Sequence, residues 1–279
     1  MEITGKNIVV TGGGNGIGKA LCERFAAEGA AHVMVVDLDL DNAEKVAGSI
    51  GAKARRIDVG DRAQVVTLVR DVEADTGPID LFVSNAGFVT IGGLEAANEE
   101  LQRMWEVHVL AHMIAARAVI PGMVERGEGY ILSTASAAGL LSQFASLHYA
   151  VTKRAAIALA EWISITHGHQ GIKVSVLCPQ AVQTNITENS PDRAKMEGGT
   201  GIGVASADGV LEPADVAQVV IDAMREEHFH ILPHPEVAEY VKRKGADVDR
   251  WLGGMQRWQG TLFPGDAHPA NWLTKPKAD

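Results

Sequence analysis

The chain has 279 residues, 46% hydrophobic and 22% charged, a composition that supports a sizeable core and excludes a disordered chain. Its net charge of −10 argues against nucleic acid as the main partner, because phosphate binding needs a basic surface. With Cys22 and Cys178 as its only cysteines, no signal-peptide pattern at the start and no later run of ~18 apolar residues, it reads as a cytoplasmic chain without disulfides or a membrane segment.

Short Val- and Ile-rich runs alternate with longer amphipathic stretches, the pattern of a parallel sheet covered by helices. Strands are predicted at 7–10, 32–37, 54–57, 81–84, 130–133, 173–177 and 230–232, and helices at 16–28, 41–50, 62–76, 99–126, 147–167 and 213–226. This order predicts one α/β domain, a doubly wound Rossmann-type parallel sheet of seven strands flanked by helices, over residues 1–232. Residues 233–279 are expected to form an extension packed on the same domain or on a neighbouring subunit.

The first strand runs into TGGGNGIG and then a helix. A glycine turn lets bare backbone approach a pyrophosphate, which is favoured at a helix N-terminus by free N–H groups and the helix dipole. Gly12, Gly14, Asn15, Gly16, Ile17 and Gly18 are therefore candidate dinucleotide contacts, although such a turn could also simply join a strand to a helix. The second strand ends in Asp37, near the offset at which an acid meets the adenosine ribose. A carboxylate there repels a 2′-phosphate, and neither Leu38 nor Asn15 supplies a compensating positive charge, so NAD is favoured over NADP. The alternative for Asp37, within DLDLDN, is a helix cap or turn residue.

Farther along, Tyr149 and Lys153 stand four residues apart in HYAVTKRAAIALAEWI, a spacing that puts both on one helix face. An ammonium beside a phenol favours the phenolate, which makes a general base or acid of the tyrosine. Taken alone, this spacing occurs on many solvated helix faces. Residues 187–210, rich in Gly and Ser with no sustained period, are expected to form a substrate loop. His228, His230 and His234 are the closest histidine cluster, but they straddle a strand and a Pro-rich turn, and no metal site is expected. In the tail, Trp251, Met255 and Trp258 fall at helical spacing despite Gly253 and Gly254; the stripe reads as packing or a subunit contact in preference to a ligand wall.

With these residues in place, the chain resembles the short-chain dehydrogenase/reductase superfamily over residues 6–232. TGGGNGIG resembles its T-G-x-x-x-G-x-G coenzyme turn, Asp58 and Val59 its adenine-holding Asp-Val pair, and Ser84, Asn85, Ala86 and Gly87 its N-N-A-G strand end. Ser136 lies thirteen positions before Tyr149, the family's spacing for its active-site serine. The resemblance implies that Tyr149 is the acid/base, that Lys153 lowers its pKa and binds the nicotinamide ribose, and that Ser136 bonds the substrate oxygen. CPQAVQT is similar to P-G-x-x-x-T, which places Pro179, Val182 and Thr184 at the nicotinamide.

There are two departures. His108 stands where the family usually has the asparagine of a catalytic tetrad; it either joins the proton relay or is packed in its helix. Gln180 replaces the usual glycine and should narrow or polarise the pocket. The pocket set Ala138, Leu140, Leu141, Gln143, Phe144, His148, Gln180 and Ile186 is mostly apolar. The expected activity is NAD-dependent interconversion of a hydrophobic alicyclic, steroid-like or aromatic secondary alcohol and its ketone. A non-catalytic nucleotide-binding protein of the same fold, or a sugar-nucleotide epimerase or dehydratase, is the alternative. By resemblance, the helices at 99–126 and 147–167 form the contact of a homotetramer or homodimer.

Overall fold

A computed structural model describes residues 1–186 and 206–274. Most of the expected substrate loop, residues 187–205, lies outside the described residues. Strands β1 (Asn7–Thr11), β2 (His32–Asp37), β3 (Lys53–Arg56), β4 (Leu81–Ser84), β5 (Gly129–Thr134), β6 (Ile172–Leu177) and β7 (His230–Ile231) form one sheet in the order β3-β2-β1-β4-β5-β6-β7. Every pairing is parallel. The central strands β4 and β5 are buried along their whole length, as their near-continuous apolar runs require of a sheet covered on both faces.

One face carries α1 (Gly16–Ala27), α2 (Leu40–Ile50) and α8 (Pro213–Arg225), whose Phe25, Val46 and Ile221 pack with Val10 and Leu132. On the other, α3 (Arg62–Thr76), α5 (Ala111–Arg126) and α7 (Leu147–His167) bring Val69, Val119 and Ile157 onto Phe82 and Ile131. The chain winds one way from β1 through β2 to β3 and the other way from β4 onward, so a crevice opens beyond the carboxyl ends of β1 and β4.

The helix expected at 99–126 is three segments: α4 (Asn98–Trp105), a π-helical turn (Glu106–Leu110) and α5. An i→i+5 turn carries one more residue than an α-turn and gives no separate signal in the apolar pattern. Contrary to expectation, Asn98–Arg126 is long and apolar enough to cross a membrane, but 56% of its apolar window is buried in the fold, where Val107, Ala115 and Val119 join the core. A short helix, α6 (Ala137–Leu141), was not expected; Ser136 caps it by accepting the Ala138 N–H at 3.1 Å.

The tail forms α9 (Glu236–Ala246) and α10 (Val248–Leu262). Asp247 caps α10 by accepting the Arg250 N–H at 2.9 Å, and the helix runs through Gly253 and Gly254. Lys244 Nζ donates to the Leu140 carbonyl at 2.6 Å and Trp258 meets Phe144 edge-on with ring centroids 5.5 Å apart, so the tail packs against the loop-and-helix segment before α7.

A buried relay ties the last three strands. The Ser175 hydroxyl donates to the His228 carbonyl at 2.6 Å, which leaves its oxygen to accept from the Tyr130 hydroxyl, also at 2.6 Å. Tyr130→Phe removes one bond and is expected to cost about 1 kcal/mol in urea unfolding; Ser175→Ala removes both and leaves the buried Tyr130 hydroxyl unpaired, and should cost more, about 2 kcal/mol. A Ser175→Ala cost no larger than that of Tyr130→Phe would mean that the two bonds do not act in series.

Candidate active site

A single cavity of about 1500 Å³ runs along the crevice from Asp37 and Asp58 at one end to Trp251 and Trp258 at the other. Its floor is stitched by Thr11 and Asn85. Thr11 Oγ1 accepts the N–H groups of Asn85 at 2.9 Å and Ala86 at 3.2 Å, and donates to the Val83 carbonyl at 3.1 Å. Asn85 Nδ2 donates to the carbonyls of Thr11 and Gly12, while its Oδ1 accepts from Thr134 Oγ1 at 3.0 Å, so β1, β4 and β5 are locked together where the glycine turn begins.

The glycines divide into two kinds. Gly12, Gly16, Asn15 and Ile17 line the cavity, and Gly16 has φ +51 with Thr184 so close that a Cβ there would lie 2.9 Å from its methyl carbon. Gly14 and Gly18, expected as cofactor contacts, do not line it. A Cβ on Gly18 would stand 2.0 Å from the Gly12 carbonyl oxygen, so this glycine serves the close packing of helix on turn. Gly14 donates its N–H to Asp37 Oδ2 at 2.9 Å and so holds the carboxylate. Asp37 Oδ1 accepts the Asp39 N–H at 3.0 Å; the cap of α2 is Asp39, and Asp37 faces the cavity with Leu38.

Asn15 makes no side-chain cap at the start of α1, which leaves that helix's first N–H groups for an anion. This turn, the uncapped helix and the Asp37 carboxylate fit a dinucleotide. Asp58 and Val59 line the same end, but both Asp58 oxygens are held by Arg103 Nη2, at 2.9 and 3.0 Å, a partner that nothing in the sequence signals. Ala86, Gly87, Pro179 and Val182 also border the cavity.

At its centre stand Ser136, Tyr149 and Lys153, brought from the end of β5 and the first turns of α7. Ser136 Oγ accepts the Ala138 N–H and makes a long bond of 3.4 Å to the Pro179 carbonyl. Lys153 is buried, donates to the Thr134 carbonyl at 3.0 Å, and lies over the Tyr149 ring at 5.5 Å from its centroid. Burial pushes its ammonium down to about 8. The expected lowering of the Tyr149 pKa by Lys153 is not found: burial raises the phenol above its ordinary value, and a hydrogen bond with Ser136 opposes the rise. The ammonium sits over the ring face and gives its proton to backbone. Cys178, buried nearby, is held as an inert thiol, pushed up to about 12 by burial.

His108 is fully buried at the π-helical turn. The Phe88 N–H donates to its Nε2 at 3.2 Å, so Nδ1 carries the hydrogen and faces Thr152 Oγ1 at 2.9 Å; Thr152 in turn donates to the His148 carbonyl at 2.8 Å. Burial, then the Lys153 ammonium, hold the imidazole far below its ordinary pKa. Both ring nitrogens are hydrogen-bonded and the ring is neutral, so in this geometry His108 bridges the strand end at Phe88 to α7, the packed alternative of the two expected. His112, one turn on, is also neutral, lowered to about 3 by burial and then by Lys153.

On the substrate side Ala138, Leu141, Gln143, Phe144, Gln180 and Ile186 line the cavity as expected. Leu140 and His148 do not; both are buried, turned away by about 100° per residue from Leu141 and Tyr149 on their helices. Gln180 does not hang free: its Nε2 donates to Asp208 Oδ2 at 2.9 Å, and Asp208 Oδ1 accepts from Tyr240 at 3.0 Å. The tail stripe both packs, through Trp258 on Phe144, and faces the cavity. Trp251, Met255 and Trp258 line the cavity, as do Arg250 and Arg257.

The buried ammonium has a consequence for stability. A lysine whose folded pKa is about 8 binds fewer protons folded than unfolded between pH 8 and 10.5, so this group opposes folding fully below pH 8 and less as pH rises through that window. Lys153→Met should therefore be more stable than the parent at pH 7, by up to about 3 kcal/mol in urea unfolding, with the gain shrinking towards pH 10.5. A variant less stable than the parent at pH 7 would contradict this.

A family model described as short chain dehydrogenase matches residues 6–195. The chain is 31% identical over 224 residues to meso-2,3-butanediol dehydrogenase of Serratia marcescens, a match covering 79% of this chain and 87% of that one. It is 30% identical over 259 residues to 1-deoxy-11-beta-hydroxypentalenate dehydrogenase of Streptomyces exfoliatus, 90% of each chain. Among solved structures, a short chain dehydrogenase/reductase from Burkholderia phymatum in complex with NAD superposes with a TM-score of 0.81 at 28% identity, covering 89% of this chain and 96% of that one. The doubly wound sheet, the glycine turn and these matches together place the chain in the short chain dehydrogenase family, as an oxidoreductase.

Proposed function

We propose that the protein interconverts a hydrophobic secondary alcohol and its ketone with NAD as cofactor. The observation that carries this reading is the convergence of Ser136, Tyr149 and Lys153 at the middle of one cavity, with the glycine turn and Asp37 at one end and an apolar wall at the other. NAD, when bound, supplies the hydride acceptor or donor. Asp37 favours it over NADP, because its carboxylate, fixed by the Gly14 and Asp39 N–H groups, would face a 2′-phosphate. In this reading Thr184, which lies against Gly16, and the Val182 backbone, both lining the cavity, would orient the nicotinamide.

In this mechanism the substrate oxygen lies between Ser136 Oγ and the Tyr149 hydroxyl. Ser136 exchanges its long bond to Pro179 for one to that oxygen and stabilises the charge that develops there. Tyr149 moves the proton, taking it from the alcohol during oxidation or giving it to the ketone during reduction. Lys153 holds the ring from its face and is itself fixed by the Thr134 carbonyl. Apolar Leu141, Phe144, Trp251, Met255 and Trp258 favour a ring-bearing substrate, in keeping with relatives named for a hydroxypentalenate and, in Mus musculus, a 17-beta-hydroxysteroid.

The test is NADH formation across a panel of cyclic secondary alcohols. Tyr149→Phe should lower turnover by about 10²-fold or more with NAD affinity retained. Because burial holds the phenol protonated at neutral pH, oxidation by the parent should speed up as pH rises above 7 and reduction should not. Most of the turnover surviving in Tyr149→Phe, or NADP used as well as NAD, would refute the assignment.

The proposed assembly is a homotetramer or homodimer. Helix α7 exposes Val151, Trp162 and Ile165, spaced at eleven and three residues and so on one face. Sedimentation should show a species at least twice 29.6 kDa, and Trp162→Glu with Ile165→Glu should dissociate it; a monomeric parent would refute the assembly.

A further inference from the structure

The wall of the cavity formed by α10 carries cationic as well as apolar side chains, in a chain whose net charge is −10. Helix α10 turns Arg250, Trp251, Gly254, Met255 and Trp258 to the cavity, at the i, i+4 and i+7 spacings of one helix face, with Arg257 beside them. The other charged groups on that wall are already committed. Arg243 pairs with Glu239 at 3.0 Å, Asp247 caps α10, and Asp208 is held by Gln180 and Tyr240. Among the described residues, the guanidinium groups of Arg250 and Arg257 have neither an ion pair nor a hydrogen bond.

They stand about 10 Å apart along the helix and differ by about 20° around it. A Cβ on Gly253 would lie 3.5 Å from Arg257 Nη1, and one on Gly254 4.0 Å from its Nη2, ordinary contact distances, so the guanidinium lies back along the helix beside these glycines. Two elements place this wall on the substrate half of the cavity. Trp258 packs against Phe144, and Lys244 fastens the preceding helix to the end of α6, which Ser136 caps.

We propose that Arg250 and Arg257 bind an anionic group on the substrate, so that the preferred alcohol is a hydroxy acid: an apolar ring held among Phe144, Trp251, Met255 and Trp258, with a carboxylate met by a guanidinium. Both arginines are exposed, and guanidinium suits the role because its planar fork matches a carboxylate and it is more weakly hydrated than an ammonium. The proposal rests on the alcohol–ketone reading above and specifies which alcohols it prefers.

The experiment uses monocyclic, bicyclic and steroid-sized hydroxy acids, each beside its methyl ester. The parent should favour at least one acid over its ester by about tenfold or more in kcat/KM, and Arg250→Gln with Arg257→Gln should reduce that ratio to near one, chiefly through KM for the acid. A parent that never prefers an acid, or a variant that keeps the ratio, overturns the proposal. So does a variant whose defect is in KM for NAD with the ratio intact, since the arginines would then serve the dinucleotide.

A second measurement separates failure here from failure of the alcohol–ketone reading. Binding of the same acids to the parent with NAD, followed by calorimetry, needs no turnover. Binding that weakens about tenfold in the double variant supports the anion site even if no alcohol on the panel is oxidised, whereas equal binding of acid and ester by the parent refutes it.

Discussion

The site depends on keeping one ammonium inside the protein. Lys153 is buried at the end of β5, where water is scarce, and an unpaired charge there is costly. Among the described residues no carboxylate pairs with it. The fold provides instead the Thr134 carbonyl, the face of the Tyr149 ring, and neighbours that do not add positive charge. His108 and His112 are both kept neutral by burial first and by the Lys153 charge second. Gly87 matters for the same reason: a Cβ there would come within 3.4 Å of Lys153 Nζ and 3.1 Å of His108 Nε2, so a larger residue would displace one or both. A group tolerated at such cost is commonly there for chemistry.

The same constraint explains the π-helical turn. For Nε2 to accept from Phe88 and Nδ1 to face Thr152, the ring must bridge the end of β4 and helix α7. The turn at Glu106–Leu110 sets His108 at that bridge while α4 and α5 continue on either side. An asparagine could be expected to meet similar partners with its amide. The histidine fills more space and, once both nitrogens are bonded, contributes no titration near neutral pH.

Much of this was legible in the sequence, for identifiable reasons. Strand and helix periods depend on local burial, so β4 and α7 fall where the apolar pattern puts them, and the glycine turn is legible because few other residues suit such a backbone. The parts that escaped depend on tertiary contact. Arg103 reaches Asp58 from 45 residues away, and nothing in either segment announces the pair. The phenol of Tyr149 is raised because burial outweighs its hydrogen bond with Ser136, a comparison that needs coordinates. Trp251, Met255 and Trp258 were visible as a stripe, but periodicity shows that a face is buried or covered without showing by what.

The two halves of the cavity are therefore built differently. The dinucleotide half is part of the sheet, where Thr11, Asn85 and Thr134 bond strand to strand, and it cannot change without disturbing the core. The far wall is α10, a helix with no buried residue that is held by its cap, by Trp258 on Phe144 and by its connection to α9. Few buried contacts mean low local stability, so this helix can shift or fray without unfolding the sheet. Substitutions along α10 should then alter which substrate fits at little cost to folding, whereas those in the glycine turn or around Lys153 affect folding and chemistry together. On the proposed reading the reacting groups sit after β5 and on the first turns of α7, held by the sheet, and the choice of substrate falls largely to the tail.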